Sequence, residues 1–300
     1  MANPIVNSLP AYVEQNKLPL IAKSVLRGKI QEKLNLMTGV KGDTALNLVG
    51  SDIAIQSGAE CAFNASGDTT LSQRVLAPKM LKVNMTYCDK NLVNKWAGYQ
   101  VKMAATGKEM PFEEDFMNTV ADEINKANTK MIFQGASGQT AECEGFISIL
   151  EGASATTVST TGLTAWQEIK EVYMKTPAEV ASKEDYVVLV STGKFREFIQ
   201  ELVAKNLYHY NANDVDGEYT LPGTSVKVIS TIGLDGIASY DYIIGARLSN
   251  LFLGVDMVSD SEDFDFYFDK SDRIFKLVVE WNMGVQVAYP SEVVLGKYSI

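Results

Sequence analysis

The residues best suited to catalysis or metal binding are few in this chain. The one histidine, His209, lies between Tyr208 and Tyr210, and no second potential ligand stands four residues from it. A zinc site needs three or four such ligands brought together, often at short spacing. The sequence therefore argues against a metal-binding or catalytic role for His209.

The three cysteines, Cys61, Cys88 and Cys143, are far apart and form no Cys-x-x-Cys pair. An odd number of widely spaced cysteines is typical of reduced thiols in a cytoplasm and not of a disulfide framework. The chain also lacks the phosphate-loop, dinucleotide-binding, zinc-protease and serine-hydrolase motifs. We therefore expect no catalytic residue, no cofactor, no bound metal and no enzyme activity.

One acidic stretch, from Asp256 to Asp272, could in principle bind a divalent cation. It reads DMVSDSEDFDFYFDKSD and lacks the glycine and the terminal glutamate that an EF-hand loop requires. The favoured interpretation is a solvated strand face. Weak cation binding between subunits is the alternative.

The bulk composition limits the classes of partner. A net charge of -10 and a pI near 4.8 argue against a surface built to bind nucleic acid, because phosphate contacts need clustered lysine and arginine. A wall that only encloses DNA is compatible with this acidity, since it must not adhere to the polymer. Neither a signal peptide nor a run of 18 apolar residues is evident, so we expect a cytoplasmic product without a membrane span.

The element that must organise the fold runs from Pro111 to Gln134. Phe112, Phe116, Val120 and Ile124 recur every fourth residue, which predicts one apolar stripe on a helix. Such a helix is about 35 Å long at the usual rise per residue. We call it the spine helix and expect it to brace two or more smaller sheets.

Two segments near the N-terminus could contact a neighbouring subunit. The spacing of the apolar residues over 18–37 predicts an amphipathic helix. This helix either packs on its own domain or forms an arm across a neighbouring subunit. Residues 44–83 predict two strands, within DIAIQSG and RVLAPKMLKVNM, joined by a glycine-rich tip. This ribbon is either an ordinary hairpin of a larger sheet or needs another surface to lie on, because two strands alone are rarely stable.

From Trp166 onward, helical and strand patterns alternate, which indicates an α/β unit. Near the C-terminus, apolar and polar residues alternate over Phe264–Phe268 and Phe275–Val287, which indicates a long antiparallel hairpin. That hairpin is a candidate for the sheet beneath the spine helix. Further predictions are a helix over 86–106, a turn over 135–145, a buried strand over 146–150, a loop over 152–164, strands at 186–190, 226–229 and 242–244, and helices over 166–176 and 194–206.

In this order of elements the chain resembles the major capsid proteins of tailed bacteriophages, which have the α+β Hong Kong 97 fold. The local matches are QGASGQTAECEGF, YTLPGTSVKVIS and DRIFKLVVEWNMGVQV. The resemblance implies an N-terminal arm at 1–43, an extended two-stranded E-loop at 44–83, a peripheral domain at 84–163 and 259–300, and an axial α/β domain at 164–258.

The resemblance also implies a function. The chain would self-assemble as hexamers and pentamers into an icosahedral head shell that encloses a double-stranded DNA genome without sequence-specific contacts. It would be found in the virion after assembly in the host bacterial cytoplasm, with arm and ribbon lying over neighbouring subunits. Its partners would be a portal and decoration or auxiliary capsid proteins. Because a plausible arm begins directly after Met1, we expect a separate scaffold protein or none.

One departure and two alternatives accompany the resemblance. No lysine lies between Lys41 and Lys79, so we expect no isopeptide cross-link from the E-loop. An encapsulin compartment, which encloses enzymes instead of a genome, has the same fold and is the first alternative. A monomeric α/β enzyme or ligand-binding protein built on residues 186–246 is the second.

Overall fold

The computed structural model describes residues 5–25, 28–53, 55, 67–88, 90–91, 95, 112–136, 143–153, 155–207, 217–237, 239–256 and 263–299. Its α-helices are α1 (Ile5–Gln15), α2 (Lys17–Val25), α3 (Phe112–Gln134), α4 (Phe146–Gly152), α5 (Ala165–Lys175), α6 (Ala178–Ala181) and α7 (Thr192–Ala204). Its strands are β1 (Asn35–Thr38), β2 (Thr44–Ile53), β3 (Gly67–Leu76), β4 (Lys79–Cys88), β5 (Thr156–Val158), β6 (Tyr186–Ser191), β7 (Glu218–Thr220), β8 (Lys227–Thr231), β9 (Tyr240–Arg247), β10 (Leu251–Val255), β11 (Asp263–Asp269), β12 (Ile274–Val287) and β13 (Val294–Ser299). None of the described helices is both long and apolar enough to span a membrane.

A long sheet is built around β12, a strand of 14 residues. β11 forms an antiparallel hairpin with it, as the alternating sequence predicts. Met283 of β12 pairs with both Val255 and Lys79, so β10 and β4 lie along opposite edges of β12. Every second side chain from Phe275 to Val287 is buried, which gives the sheet one apolar face.

The spine helix is α3, and its predicted extent is confirmed from Phe112 to Gln134. Three carboxylates in its first turn suit the positive end of the helix dipole. The ring of Phe116 packs at 5.1 Å from that of Tyr87 in β4 and 6.4 Å from that of Phe266 in β11. The spine helix therefore lies on the long sheet, as the sequence suggested.

The N-terminal helix α2 packs on the spine helix of the same chain. Asn125 and Asn128 of the spine helix donate side-chain hydrogen bonds of 3.0 and 3.1 Å to the carbonyls of Lys23 and Ser24, in the last turn of α2. These carbonyls have no partner within α2, because a helix leaves its last four unpaired. For α2, the interpretation of a helix packed on its own domain is confirmed.

The prediction of one helix over residues 18–37 is wrong beyond α2. Residues 35–38 instead form β1, which pairs in parallel with β10, Leu36 opposite Leu253. Sheet pairing thus overrides a helical pattern in a segment whose apolar spacing fits both structures. The predicted helix over 86–106 begins wrongly as well, since residues 86–88 belong to β4, and most of the rest lies outside the described residues.

The α/β unit has a six-stranded sheet in the order β5-β13-β9-β6-β8-β7. The structure confirms the strands predicted at 186–190, 226–229 and 242–244, which are β6, β8 and β9. It also confirms the two helices predicted in this unit, which are α5 and α7. Two short strands from elsewhere in the chain, β5 and β13, complete the sheet, and β5 lies within the predicted loop over 152–164. One face packs against α5 and α7, and the other joins the apolar core that continues to the long sheet.

Residues 146–150 were predicted as a buried strand, and this is wrong. They form α4, in which Phe146, Ile147, Ile149 and Leu150 are buried. A short apolar run can be either element, because periodicity does not separate a buried strand from a buried helical turn. Gly145 precedes it in an extended conformation, so close to the spine helix that a Cβ atom there would lie 2.7 Å from the Phe133 carbonyl oxygen.

The end of the spine helix is fixed to the α/β unit at a close contact. A Cβ atom on Gly233 would lie 2.1 Å from Cδ2 of Phe133, so only glycine lets this ring pack there. Gln134 donates hydrogen bonds of 2.7 and 2.8 Å to the carbonyls of Gly233 and Asp235. The Asp235 carboxylate in turn accepts from the backbone N–H of Thr192 at the start of α7. We call these residues the spine joint.

The spine joint predicts an effect of substitution at Gly233. Gly233→Ala should destabilise the subunit by about 1–3 kcal/mol, because the added methyl overpacks the Phe133 ring. Gly193→Ala is the matched control: a Cβ atom there meets nothing within 4 Å, so stability should be unchanged or slightly higher. Urea denaturation of both variants measures the difference, and equal midpoints would contradict the packing argument.

The carboxylate of Glu201 in α7 caps the N-terminus of α5. It accepts from the backbone N–H groups of Ala165 at 2.9 Å and Trp166 at 3.4 Å. Burial raises the pKa of Glu201, but hydrogen bonds from Thr164, Trp166 and Ala165 and the charge of Lys205 outweigh burial, and its pKa is lowered. The capping bonds therefore favour the ionised carboxylate.

A pH dependence of stability follows from this lowered pKa. The stabilisation by Glu201 is fully present above the pKa of glutamate in the unfolded chain and is lost as pH falls through the lower folded-state pKa. Glu201→Gln should therefore have a lower free energy of unfolding than the parent at neutral pH. This difference in the free energy of unfolding, the gap, should narrow in acid. Denaturation across pH tests this, with Glu184→Gln, at an exposed position, as the control. A gap that is constant with pH would refute the assignment.

Candidate subunit-assembly surface

The strands β2 and β3 form a separate two-stranded ribbon. They pair antiparallel from Thr44 opposite Leu76 to Ile53 opposite Gly67. The sequence predicts such a ribbon over 44–83, but the predicted second strand, within RVLAPKMLKVNM, is interrupted at Ala77–Pro78, after which β4 joins the long sheet. Proline has no N–H for a strand ladder, so Pro78 was the available signal for this break.

The base of the ribbon is anchored on the long sheet. Arg74 donates from Nε and Nη2 to Oε1 of Gln286, at 3.3 and 3.1 Å, and Nε2 of Gln286 donates to the carbonyl of Val75 at 2.6 Å. Leu76 is fully buried, and a Cβ atom on Gly254 would lie 2.7 Å from its Cδ2. The ribbon therefore leaves the body at a fixed position.

The two faces of the ribbon differ in burial. Leu46, Leu48 and Leu76 on one face are buried. The opposite face, which we call the outward ribbon face, consists of three cross-strand pairs that are exposed throughout: Ala45–Val75, Asn47–Gln73 and Val49–Leu71. Of its apolar side chains, Leu71 is 79% exposed, Val49 58% and Val75 50%.

The outward ribbon face has no charged side chain. Its central pair is held by a hydrogen bond of 2.7 Å from Gln73 to Asn47. Aligned apolar side chains with a fixed amide pair and no charge are suited to packing against another protein surface and provide no acid, base or nucleophile. The outward ribbon face is therefore a candidate interaction site.

The residues that the sequence singled out for chemistry are not brought together. His209 and Cys61 lie outside the described residues. Cys88 is exposed at the end of β4, and Cys143 is buried. Within the described part of the chain, no group of three or more histidine, cysteine, aspartate or glutamate side chains could hold a metal ion.

A lysine of β12, Lys276, lies beside the turn at the end of the acidic stretch. Lys276 lies 2.6 Å from the carboxylate of Asp269 and 3.2 Å from that of Asp272. The hydrogen bond from Lys276 holds the pKa of Asp269 below its ordinary value. At this end of the stretch, Asp269 and Asp272 therefore share one lysine of the same chain, while residues 257–262 lie outside the described part.

By sequence, no family model and no curated protein matches this chain. By structure, it is similar over almost its whole length to a chain of the satellite phage P4 procapsid that includes the size determination protein. The TM-score is 0.62 at 11% identity, covering 99% of this chain and 98% of that one. The chain has the α+β Hong Kong 97 fold.

Other structures with this fold support the assignment. The capsid of a native GTA particle matches with a TM-score of 0.57 at 13% identity, over 93% of this chain and 91% of that one. A virus-like particle from Pyrococcus furiosus matches with a TM-score of 0.53 at 10% identity, over 98% of this chain and 99% of that one. At such identities the likeness establishes the Hong Kong 97 fold and leaves function to be argued from the surface.

The anchored base of the ribbon predicts a local effect of substitution. Arg74→Ala removes both hydrogen bonds to Gln286, so the ribbon should open more often while the body keeps its stability. Removing bonds of this type costs about 1–3 kcal/mol. Amide hydrogen exchange should then speed up in β2 and β3 and stay unchanged in the spine helix.

Lys82→Ala, at an exposed position of β4, is the control for Arg74→Ala. Unchanged exchange in the ribbon of Arg74→Ala would show that the hydrogen bonds to Gln286 do not hold its base.

Proposed function

We propose that this chain is a structural subunit that self-assembles into an icosahedral head shell enclosing a double-stranded DNA phage genome. The observation that carries the proposal is the outward ribbon face, which is apolar and exposed on a chain whose fold is shared, end to end, with a chain of the P4 procapsid. The proposed role is mechanical, and no catalytic residue is assigned.

The outward ribbon face is exposed on the single chain. A ribbon of two strands has too little apolar surface to be stable without support. On this subunit only the face with Leu46 and Leu48 is covered, whereas Leu71 and Val49 stay exposed. A second copy of the chain that covers them would gain roughly 25 cal/mol for each Å² of apolar surface removed from water.

Assembly through such contacts would be non-covalent. The ribbon has no lysine between Lys41 and Lys79, so side-chain cross-links of the isopeptide type are not part of the proposal. Permanent interfaces of this type bury on the order of 2,000 Å² or more, which many subunits arranged as hexamers and pentamers would supply. The N-terminal helices, packed on their own spine helix, are not assigned to this contact.

Partners, a location and a division into domains are proposed together with this function. We infer partnership with a portal, decoration proteins and a separate scaffold protein, and a location in the virion after assembly in the host bacterial cytoplasm. The division into an arm (1–43), an E-loop (44–83), a peripheral domain (84–163 and 259–300) and an axial domain (164–258) is retained on the same basis. The acidic character of the chain, with 37 acidic and 27 basic residues, suits a wall that encloses DNA without adhering to it.

The assembly state of the purified protein tests the proposal. Light scattering should give particles of many subunits, and electron microscopy should show closed shells. Shells that contain DNA support a phage head, whereas shells that contain protein cargo would support an encapsulin compartment. A monomer at concentrations well above the micromolar range would contradict both and favour the ligand-binding alternative.

Substitution at Leu71 tests the role of the ribbon. Leu71→Asp should abolish or strongly reduce assembly, because a charge would have to be buried between copies, while the unassembled subunit should keep its stability because this side chain is 79% exposed. Leu71→Met, which keeps the position apolar, is the matched control. Normal particles from Leu71→Asp would show that the outward ribbon face is not an assembly contact.

A further inference from the structure

The two ends of the ribbon are seated on a pair of glycines in the long sheet. Gly254 of β10 and Gly284 of β12 stand directly opposite each other, so their missing side chains leave a notch in one face of the sheet. A Cβ atom on Gly284 would lie 2.9 Å from Cα of Pro78, which follows β3. A Cβ atom on Gly254 would lie 2.7 Å from Cδ2 of Leu76 and 3.4 Å from Cγ2 of Val40, which precedes β2. Both ends of the ribbon therefore fill space that only glycine leaves open.

Burial supports the ribbon only over the half that is next to this notch. The inward side chains Leu46 and Leu48 are buried, whereas Gly50 is exposed, and so is every residue of β3 from Gly67 to Gln73. Where few apolar contacts are buried, a hydrogen-bonded segment opens at low cost. The ribbon thus has two parts, which we call the seated part (44–49 and 71–76) and the outer part (50–53 and 67–70).

The ladder of the outer part has features that weaken strand pairing. Gly50 lies opposite Thr70 at the boundary between the two parts. Glycine weakens a strand because it loses more backbone freedom on folding and has no side chain to pack. Two residues further on, Asp52 lies opposite Asp68, and like charges at directly opposite positions destabilise a sheet. The seated part has the apolar and amide pairs of the outward ribbon face instead.

Packing does not require glycine at position 50. A Cβ atom there would lie 2.7 Å from Oγ1 of Thr70, whose hydroxyl is 3.5 Å from the Gly50 carbonyl oxygen. This hydroxyl can turn away by rotation about one bond. At Gly284, by contrast, the nearest atoms are backbone atoms of Ala77 and Pro78, which cannot turn away. The missing side chain at Gly50 therefore contributes backbone freedom and not a close contact.

We propose that Gly50 is a hinge, and that the outer part of the ribbon becomes ordered only when a neighbouring copy of this chain covers it. The seated part holds the outward ribbon face in one direction, because its ends fill the glycine notch. The outer part continues directly from that face, so the copy that covers the face also meets the outer part. Bending at Gly50 lets one sequence fit neighbours in hexamers and in pentamers. The inference rests on the proposed function, which supplies the neighbouring copy.

Amide hydrogen exchange of the full chain, followed by mass spectrometry, tests the inference. In protein kept below the concentration at which shells form, hydrogen-bonded amides of the outer part should exchange at least about tenfold faster than those of the seated part. This ratio corresponds to about 1.4 kcal/mol in the free energy of opening. In assembled shells, the amides of the outer part should exchange at least about tenfold more slowly than in the unassembled protein.

Two single substitutions should stiffen the outer part. Gly50→Ala reduces the freedom of the backbone at the boundary, and Asp68→Asn removes one of the two opposed charges. Each should slow exchange of the outer part in the unassembled protein about threefold. Each should also lower the protein concentration needed for assembly, because less order has to be gained on binding.

Matched control variants lie just before β2, outside the ladder. Gly42→Ala and Asp43→Asn make the same chemical changes there, and a Cβ atom on Gly42 would meet nothing within 4 Å. Neither control should change exchange in the outer part or the concentration needed for assembly. Asp68→Asn keeps the test decisive even if Gly50→Ala disturbs the ribbon, because it leaves the backbone and the side-chain volume almost unchanged.

Equal exchange rates in the two parts of the unassembled ribbon would overturn the inference. Unchanged or faster exchange in both Gly50→Ala and Asp68→Asn would overturn it as well. Electron microscopy of the same samples separates the two proposals. Shells in which the outer part exchanges as fast as in the unassembled protein refute ordering by a neighbour alone. A protein that forms no shells refutes the proposed function, and the comparison within the unassembled ribbon still decides whether Gly50 is a hinge.

Discussion

A two-stranded ribbon has two faces, and this chain covers only one of them. The pleat of β2 and β3 directs Leu46 and Leu48 to one side and Val49 and Leu71 to the other. Alternation along a strand makes this separation unavoidable, because a shift of one residue would reverse both faces together. The uncovered face therefore has to meet either water or another molecule, and its apolar character favours another molecule.

The remaining structure holds that ribbon in a defined place. Its base is fixed on β12 by Arg74 and Gln286, and β12 belongs to the sheet on which the spine helix lies. The spine helix then ends in the spine joint, where the Phe133 ring meets Gly233 of the α/β unit. One continuous apolar core includes both sheets and the spine helix. The ribbon is thus connected through packed side chains to the rest of the chain.

Local patterns in the sequence predicted the elements that are periodic over many residues. The spine helix was identifiable from Phe116, Val120 and Ile124, and the C-terminal hairpin from the strict alternation around Phe275, because each repeats long enough to exclude other periods. Short apolar runs were not sufficient, and residues 146–150 became a helix instead of a strand. Pairing between distant segments, such as β5 with β13, leaves no local signal.

The candidate site was predictable in outline and not in detail. The sequence indicated a ribbon that needs support, and the resemblance implied an E-loop. It did not show which face is exposed, because the register of Val49 with Leu71 depends on where the two strands pair. The hydrogen bonds from Arg74 to Gln286 join residues 212 positions apart, so they could not be found by reading along the chain.

The position of the ribbon in the assembled protein tests this account most directly. A cryo-electron microscopy map of the expressed protein should show a closed shell in which Leu71 and Val49 are buried against an adjacent copy. A map in which this face is folded onto its own body would contradict the account. A crystal structure of a monomer with the same arrangement would contradict it as well.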